Sequence, residues 1–326
     1  MLEARPHLSR RAFLKTLAGD PPAEPAHVAT SPDPLLTYDT AVLHHAGPGG
    51  ERFFRQSYRP GAGTPHIDPA AWTLAVGGLV EGPLVLSYEA VRALPAFGEV
   101  RTLLCAGNPP GGEWIGNAVW RGFDLDDLLA RVGVRSDATH AVFAAADGYT
   151  TTVPLDRLAG QSVLMAYEMN GAPLPPEHGY PLRALVPGLY GSKSPKWLTG
   201  LRLTNYAEAG TWDRLPGHAS GDDAIVTQAQ IMTPRPFETL PIGQPVAIQG
   251  VALAGMRSIT AVAVSVDGGA WMPAALRPPD ARHAWTQWYV VWTPELAGVV
   301  TLSVRAHDDR GGSAAGHSLS VTVAEV

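Results

Sequence analysis

The chain has 326 residues, 45% apolar and 17% charged, with a net charge of −6, 35 glycines, 30 prolines and a single cysteine. That length supports two domains with cores of their own, and the Gly/Pro-rich mix points to a loop-rich, strand-rich protein. The acidic balance argues against a nucleic-acid partner, no apolar run reaches the ~18 residues of a membrane span, and one cysteine excludes an internal disulfide.

Residues 9–15, Ser-Arg-Arg-Ala-Phe-Leu-Lys, look like a twin-arginine export signal. Only Thr16-Leu17-Ala18-Gly19 follow before Asp20-Pro21-Pro22, short of the ~7–15 apolar residues such a signal carries. Cytoplasmic retention is therefore the expectation, with periplasmic export the alternative. Residues 1–49 read as a proline-rich tail.

From residue 50 the pattern is domain-like. Arg52–Ser57 predicts a short strand ending near Arg55, and Trp72–Val76 a strand turning at Gly77-Gly78. Ser87–Leu94 predicts a helix capped by Ser87, and Phe123–Val132 an amphipathic helix stopped by Gly133. Asp147-Gly148 and Asn170-Gly171 are hairpin signals between apolar runs. Short helices among strands predict an α+β domain over 50–220. After the polar linker Gly217–Asp223, strands alone follow at Val246–Val251, Ser258–Val266, Gln287–Trp292 and Val299–Ala306. Residues 225–326 therefore read as an all-β, immunoglobulin-like sandwich.

Two stretches carry chemistry. Thr102–Asn108 runs from apolar residues through Cys105 into Gly107, Pro109, Pro110, Gly111 and Gly112. A thiol at such a strand end can bind a soft metal or act as a nucleophile; the plain alternative is a buried small hydrophobe. Glu177–Trp197 is dense in glycine and cations, with His178, Arg183, Ser192, Lys193 and Lys196, a set suited to a phosphate or oxyanion. It is not a P-loop, since no Gly-Lys-Ser/Thr occurs.

The ordered motifs Leu-Cys-Ala-Gly-Asn (104–108), Asp-Gly-Tyr (147–149), Met-Asn-Gly-Ala-Pro-Leu-Pro (169–175), His-Gly-Tyr-Pro-Leu-Arg (178–183), Val-Pro-Gly (186–188) and Lys-Trp-Leu (196–198) resemble the sulfite oxidase family of molybdopterin-dependent oxidoreductases. Val-Asp-Gly-Gly (266–269) and Trp-Thr-Gln-Trp (285–288) extend the resemblance into that family's C-terminal dimerisation domain. It implies a molybdopterin domain followed by the sandwich, and a homodimer. It implies Cys105 as the thiolate on molybdenum and Arg55 beside the pterin or the oxyanion. Phe54, Gln56, Ser57, Asp147, His178, Arg183, Ser192, Lys193 and Lys196 would hold the molybdenum–molybdopterin cofactor. The implied reaction is oxygen-atom transfer to or from a small oxyanion or sulfoxide. The chain has no Cys-x-x-Cys-His for attached haem, so electrons would pass to a separate, cytochrome-like protein.

The sequence departs from that family at the substrate end. Pro109-Pro110 stand where two arginines are usual, Gln56-Ser57 where Asn-His is usual, and Lys193 where many members have arginine. A tyrosine expected after Trp212 is absent, which makes His218 its candidate replacement. Two other readings stand beside the first. One is a cysteine-dependent hydrolase with His178 as base; the other is a non-catalytic binding protein with a relic cofactor domain.

Overall fold

The computed structural model describes residues 53–57, 63–214, 223–277, 279 and 281–325; the tail, His218 and most of the Gly217–Asp223 linker lie outside them. Strand dominates, with two short α-helices, α1 (Tyr88–Arg92) and α2 (Leu125–Val132).

The N-terminal half is built from two sheets. The first has the order β2 (Leu84–Ser87), β1 (Thr73–Gly78), β10 (Leu198–Thr204), β5 (His140–Ala145), β6 (Thr150–Pro154), with β1 and β10 parallel. The second runs β3 (Ala96–Leu104), β4 (Ile115–Asp124), β7 (Leu164–Met169), β8 (Ala172–Pro173), and β9 (Arg183–Leu185) pairs with β7. Both sheets share a core with the helices, through Trp72, Leu74, Phe123, Leu125, Leu128, Phe143, Met165 and Leu201. Leu125, Leu128, Leu129 and Val132 present one buried stripe of α2. That stripe is why an eight-residue helix holds where isolated it would not.

Local signals act largely as their chemistry dictates. Ser87 Oγ accepts the Ala90 N–H at 3.2 Å to cap α1. Gly133 ends α2 in the left-handed region at φ 65. Asn170 and Gly171 both take positive φ, 51 and 81, in the tight β7–β8 turn. Two expectations need correction. Phe53–Ser57 is not a strand, because Phe53 is anchored by aromatic packing instead of a ladder. Gly77-Gly78 do not turn; they continue β1 alongside Arg202 and Leu203. A Cβ on Gly78 would sit 2.2 Å from the Leu203 carbonyl oxygen, so glycine is what lets the strands approach.

The C-terminal half forms a four-stranded sheet, β11 (Gln228–Thr233), β13 (Val246–Leu253), β17 (Thr286–Trp292), β16 (Ala275–Arg277). Over it lies a five-stranded sheet, β12 (Thr239–Pro241), β19 (Ser313–Ala324), β18 (Gly298–Asp308), β14 (Ile259–Val266), β15 (Met272–Pro273). Val262, Val264, Trp288, Val290, Leu302, Val304 and Val321 fill the space between them. The alternation read along β14 and β17 thus puts its large residues into one core.

The halves share a cluster of Leu104, Ile115, Ile225, Val251, Leu253 and Trp285. Thr102 adds two polar links, donating its N–H to the His283 carbonyl at 3.0 Å and accepting the Trp285 N–H on Oγ1 at 2.8 Å. The end of β3 is thereby clamped to the sandwich, three residues before Cys105.

Candidate functional site

Strands β3 and β4 pair in unbroken register from Ala96↔Phe123 to Leu104↔Ile115. Cys105 is therefore the first residue of the hairpin loop, and its N–H closes that loop on the Trp114 carbonyl at 2.9 Å. The loop is braced from within. Asn108 donates its N–H to the Cys105 carbonyl at 3.1 Å, and its Oδ1 accepts the Trp114 N–H at 2.8 Å. Trp114 is 41% exposed, and its indole lies over Gly107. The Cys105 thiol is half-buried, and burial raises its pKa, so without a metal it rests protonated.

Beside the strand end sits the 3₁₀ turn Gly191–Lys193, with Gly191 packed close to the Leu104 carbonyl. Tyr149 O–H donates to the Ser192 carbonyl at 2.6 Å, which ties this turn to the β5–β6 hairpin. Ser192 Oγ is buried without a hydrogen-bond partner. Lys193 is buried and paired: Nζ donates to the Thr152 carbonyl at 3.3 Å and meets the Asp223 carboxylate at 3.1 Å.

Around the next corner lies the most strongly desolvated cation. Arg183, at the start of β9, donates to the carbonyls of His178 at 3.0 Å and Ser194 at 3.3 Å. Its guanidinium stands 5.0 Å from the Trp120 ring centroid, and Nε is buried with no partner. With no carboxylate against it, burial lowers even this guanidinium to about 9. Lys196 donates from Nζ to the Glu177 carbonyl at 2.9 Å and stands over the Trp197 indole at 4.1 Å. Burial, then the Arg183 charge, brings its pKa down to about 7, against the opposing pull of Asp147 and Glu177. Asp147 itself accepts the Tyr149 N–H at 3.0 Å. Gly179, at φ 116, lets the 176–179 turn pass between Arg183 and Lys196: a Cβ there would lie 3.1 Å from the Cβ of each.

Phe53 links this cluster back to the hairpin, edge-on to Trp120 and to the buried His178 at 5.5 Å each and tight against Gly116. Phe54 stacks on Phe53 with centroids 5.1 Å apart. Arg55 follows on the surface, its guanidinium 2.9 Å from Glu177 Oε1, with Gln56 and Ser57 half-buried beyond it.

The chain thus brings Cys105, Asp147, His178, Arg183, Ser192, Lys193, Lys196 and the Phe54–Ser57 segment around one end of the N-terminal sheets. His218 lies outside the described residues and receives no placement. Pattern alone missed Phe53, Trp114 and Glu177. Glu177 bonds two of the cations at once, carboxylate to Arg55 and carbonyl to Lys196. The one signal for it is its place directly before His178 in the densest stretch. A groove of about 510 Å³ over β1, β10 and β5 is rimmed by an Arg202–Glu208 ion pair and includes none of the predicted site residues.

The His178 ring is buried edge-on to Phe53, and its carbonyl accepts from Arg183. Among the described residues there is no group of three or more His, Cys, Asp or Glu to hold a metal ion. A metal here would need a carrier that brings its own ligands, with one protein sulfur beside it. The donor set fits such an anionic carrier. Arg183 Nε and Ser192 Oγ are orphaned, and burial beside the Arg183 charge brings the Lys196 pKa down to about 7.

Comparison with known proteins agrees. Residues 61–212 match the oxidoreductase molybdopterin binding domain. The chain is 39% identical over 155 residues to the uncharacterized oxidoreductase YuiH of Bacillus subtilis, covering 48% of this chain and 76% of that one. It is 32% identical over 305 residues to human mitochondrial sulfite oxidase, covering 79% of this chain and 55% of that protein's length. The crystal structure of the sulfane dehydrogenase SoxCD from Paracoccus pantotrophus superposes with a TM-score of 0.69 at 26% identity, covering 77% of this chain and 71% of that one. A single protein thiol at a braced hairpin tip, a cationic cradle short of its anion and these relatives all lead to one assignment: the chain belongs to the sulfite oxidase family of molybdopterin-dependent oxidoreductases.

Proposed function

We propose that the chain binds a molybdenum–molybdopterin cofactor through Cys105 and catalyses oxygen-atom transfer at a small sulfur-centred substrate, a sulfur oxyanion or a sulfoxide. The observation that carries this reading is the juxtaposition of the Cys105 loop with under-satisfied Arg183, Lys196 and Ser192. Cys105 Sγ would be the protein ligand to the metal, and coordination would remove its proton outright. Arg183, Ser192 and Lys196 would hold the pterin and its phosphate, which would draw the Lys196 proton back on. Lys193 would stand beside them if the anion displaced Asp223 from it. Phe53 and Trp120 form the apolar floor that keeps water from the buried guanidinium.

When bound, the cofactor supplies the two-electron redox change that oxygen transfer requires. In one direction substrate and water give oxygenated substrate, two electrons and two protons; the other direction is the reverse. A one-electron carrier protein would exchange those electrons. We read residues 225–326 as an immunoglobulin-like, dimerisation-type domain, which makes a homodimer part of the proposal.

Within the sulfur class, the Cys105 loop favours an uncharged sulfoxide. From Cys105 to Trp114 it carries no cation, one carboxylate at Glu113 and a half-exposed indole. Arg55, the residue the resemblance places beside the oxyanion, is paired with Glu177. A free sulfite dianion would meet little uncompensated positive charge there, whereas an alkyl sulfoxide can lie against the indole.

The test uses protein from a host that makes the pterin. Near-stoichiometric molybdenum, with turnover of dimethyl sulfoxide by a reduced viologen dye exceeding that of sulfite by ferricyanide, is the expected result. Metal-free protein from such a host would sink the proposal. Sulfite as the faster substrate would remove the sulfoxide preference alone.

A further inference from the structure

His317 of β19 reaches from the sandwich to the Cys105 loop. Gly111 in that loop sits at φ 75, and a Cβ on it would lie 2.2, 2.4 and 2.5 Å from Nε2, Cδ2 and Cε1 of His317. The imidazole end therefore abuts the loop backbone. On its other side, Nδ1 accepts the Ile231 N–H at 3.2 Å, which fixes the ring to β11. An accepting nitrogen carries no proton, so the neutral ring keeps its proton on Nε2, the end that faces the loop. Burial favours that neutral form, and the residue is 8% exposed.

What touches Gly111 also acts on Cys105, because the loop is a short, internally bonded unit. Gly112 N–H donates to the Pro109 carbonyl at 2.8 Å, Asn108 bridges Cys105 and Trp114, and Trp114 closes on Cys105. The loop base is clamped to the sandwich separately, at Thr102 and through the Leu104–Ile115 cluster. Hairpin base and tip are thus both set by the C-terminal half, the tip by His317.

We propose that His317 is a positioning residue for the metal-binding thiol: its ring, braced by Ile231, seats Gly111 and through it fixes where Cys105 stands. The seat itself needs only the geometry above, while its link to a metal rests on the reading of Cys105 as the molybdenum ligand.

Two substitutions in the full chain separate ring from hydrogen bond. His317→Asn keeps an acceptor for Ile231 and withdraws the ring; His317→Phe keeps the ring and removes the acceptor. In cofactor-free protein, the rate of Cys105 alkylation by iodoacetamide should rise about tenfold in His317→Asn, equivalent to about 1.4 kcal/mol of lost restraint. In His317→Phe it should stay near wild type. In loaded protein the Mo(V) electron paramagnetic resonance spectrum should broaden in His317→Asn and be restored in His317→Phe. Equal alkylation in all three proteins, or a rise as large in His317→Phe, overturns the seat. If His317→Asn does not fold, a cycle replaces it. Gly111→Ala should then destabilise less in a His317→Ala background than in wild type, and strict additivity would overturn the seat. Altered alkylation with an unchanged Mo(V) spectrum would leave the seat standing and refute Cys105 as the metal ligand.

Discussion

Asp308 in the sandwich and the Arg183–Lys196 pair in the N-terminal half are both buried charged centres, and they are satisfied in opposite ways. The Asp308 carboxylate accepts from Thr227 Oγ1, from the N–H groups of Arg310 and Gly312 at 2.8 Å each, and pairs with Arg257 at 3.1 Å. The Thr227 hydroxyl first, and these other donors with it, holds its pKa below the usual carboxylate range. Arg183 and Lys196 instead rest on neutral carbonyls, with pKa values pulled toward the uncharged form. A charge that its own chain saturates serves the fold. A charge left short of a counter-ion marks a candidate site for an anion that the chain does not itself supply.

That contrast can be broken at its centre first. Cys105→Ala should remove essentially all retained molybdenum while the thermal unfolding midpoint of the cofactor-free chain stays close to wild type. Retention of the metal would undo the site. Lys196→Met comes next, weakening cofactor retention by about 10–100-fold, as loss of a ligand-supporting group commonly does. In the cofactor-free chain the same change should raise stability, because an ammonium whose desolvation outweighs the pull of Asp147 and Glu177 is replaced by an apolar side chain. Equilibrium unfolding and metal analysis on one preparation check both signs.

The pH dependence sharpens the same point. Lys196 titrates near about 7 when folded and near 10.5 when unfolded. Between those values the unfolded chain binds the extra proton, so the cofactor-free protein should gain stability as pH rises through that window. Below about 7 both states are protonated and this dependence vanishes. Binding of sulfate, whose own charge is constant over this range, should weaken as pH rises past 7, and Lys196→Met should flatten both curves. Unfolding midpoints and calorimetric titrations from pH 6 to 10, flat in wild type, would remove Lys196 from the anion site. Smallest in its effect on the cofactor is Asp308→Asn. It should lower the unfolding midpoint and leave molybdenum content unchanged; loss of metal in that variant would erase the distinction between the two centres.

Much of this protein was legible before folding, wherever the physics is local. Ser87 as a cap, Gly133 as a helix stop and Asn170-Gly171 as a two-residue turn need only their neighbours and their own φ preferences. The alternation in β14 and β17 needs only the pleat. Cys105 at a strand end followed from an apolar run meeting a Gly/Pro loop, and the cationic stretch 177–197 from its composition.

Only the tertiary structure decided what those residues face. Gly77-Gly78 read as a turn and became strand, paired with Arg202 and Leu203, and Leu203 leaves no room for a side chain on Gly78. Phe53 read as a strand residue and became an aromatic wedge between Trp120 and His178. The pairing of Glu177 with Arg55, the stranded charge of Arg183 and the seat of His317 under Gly111 depend on contacts between residues far apart in sequence. A linear pattern records which groups are available. Desolvation, pairing and close approach are properties of the packed interior, and they separate the charges that hold the fold from those that await a ligand.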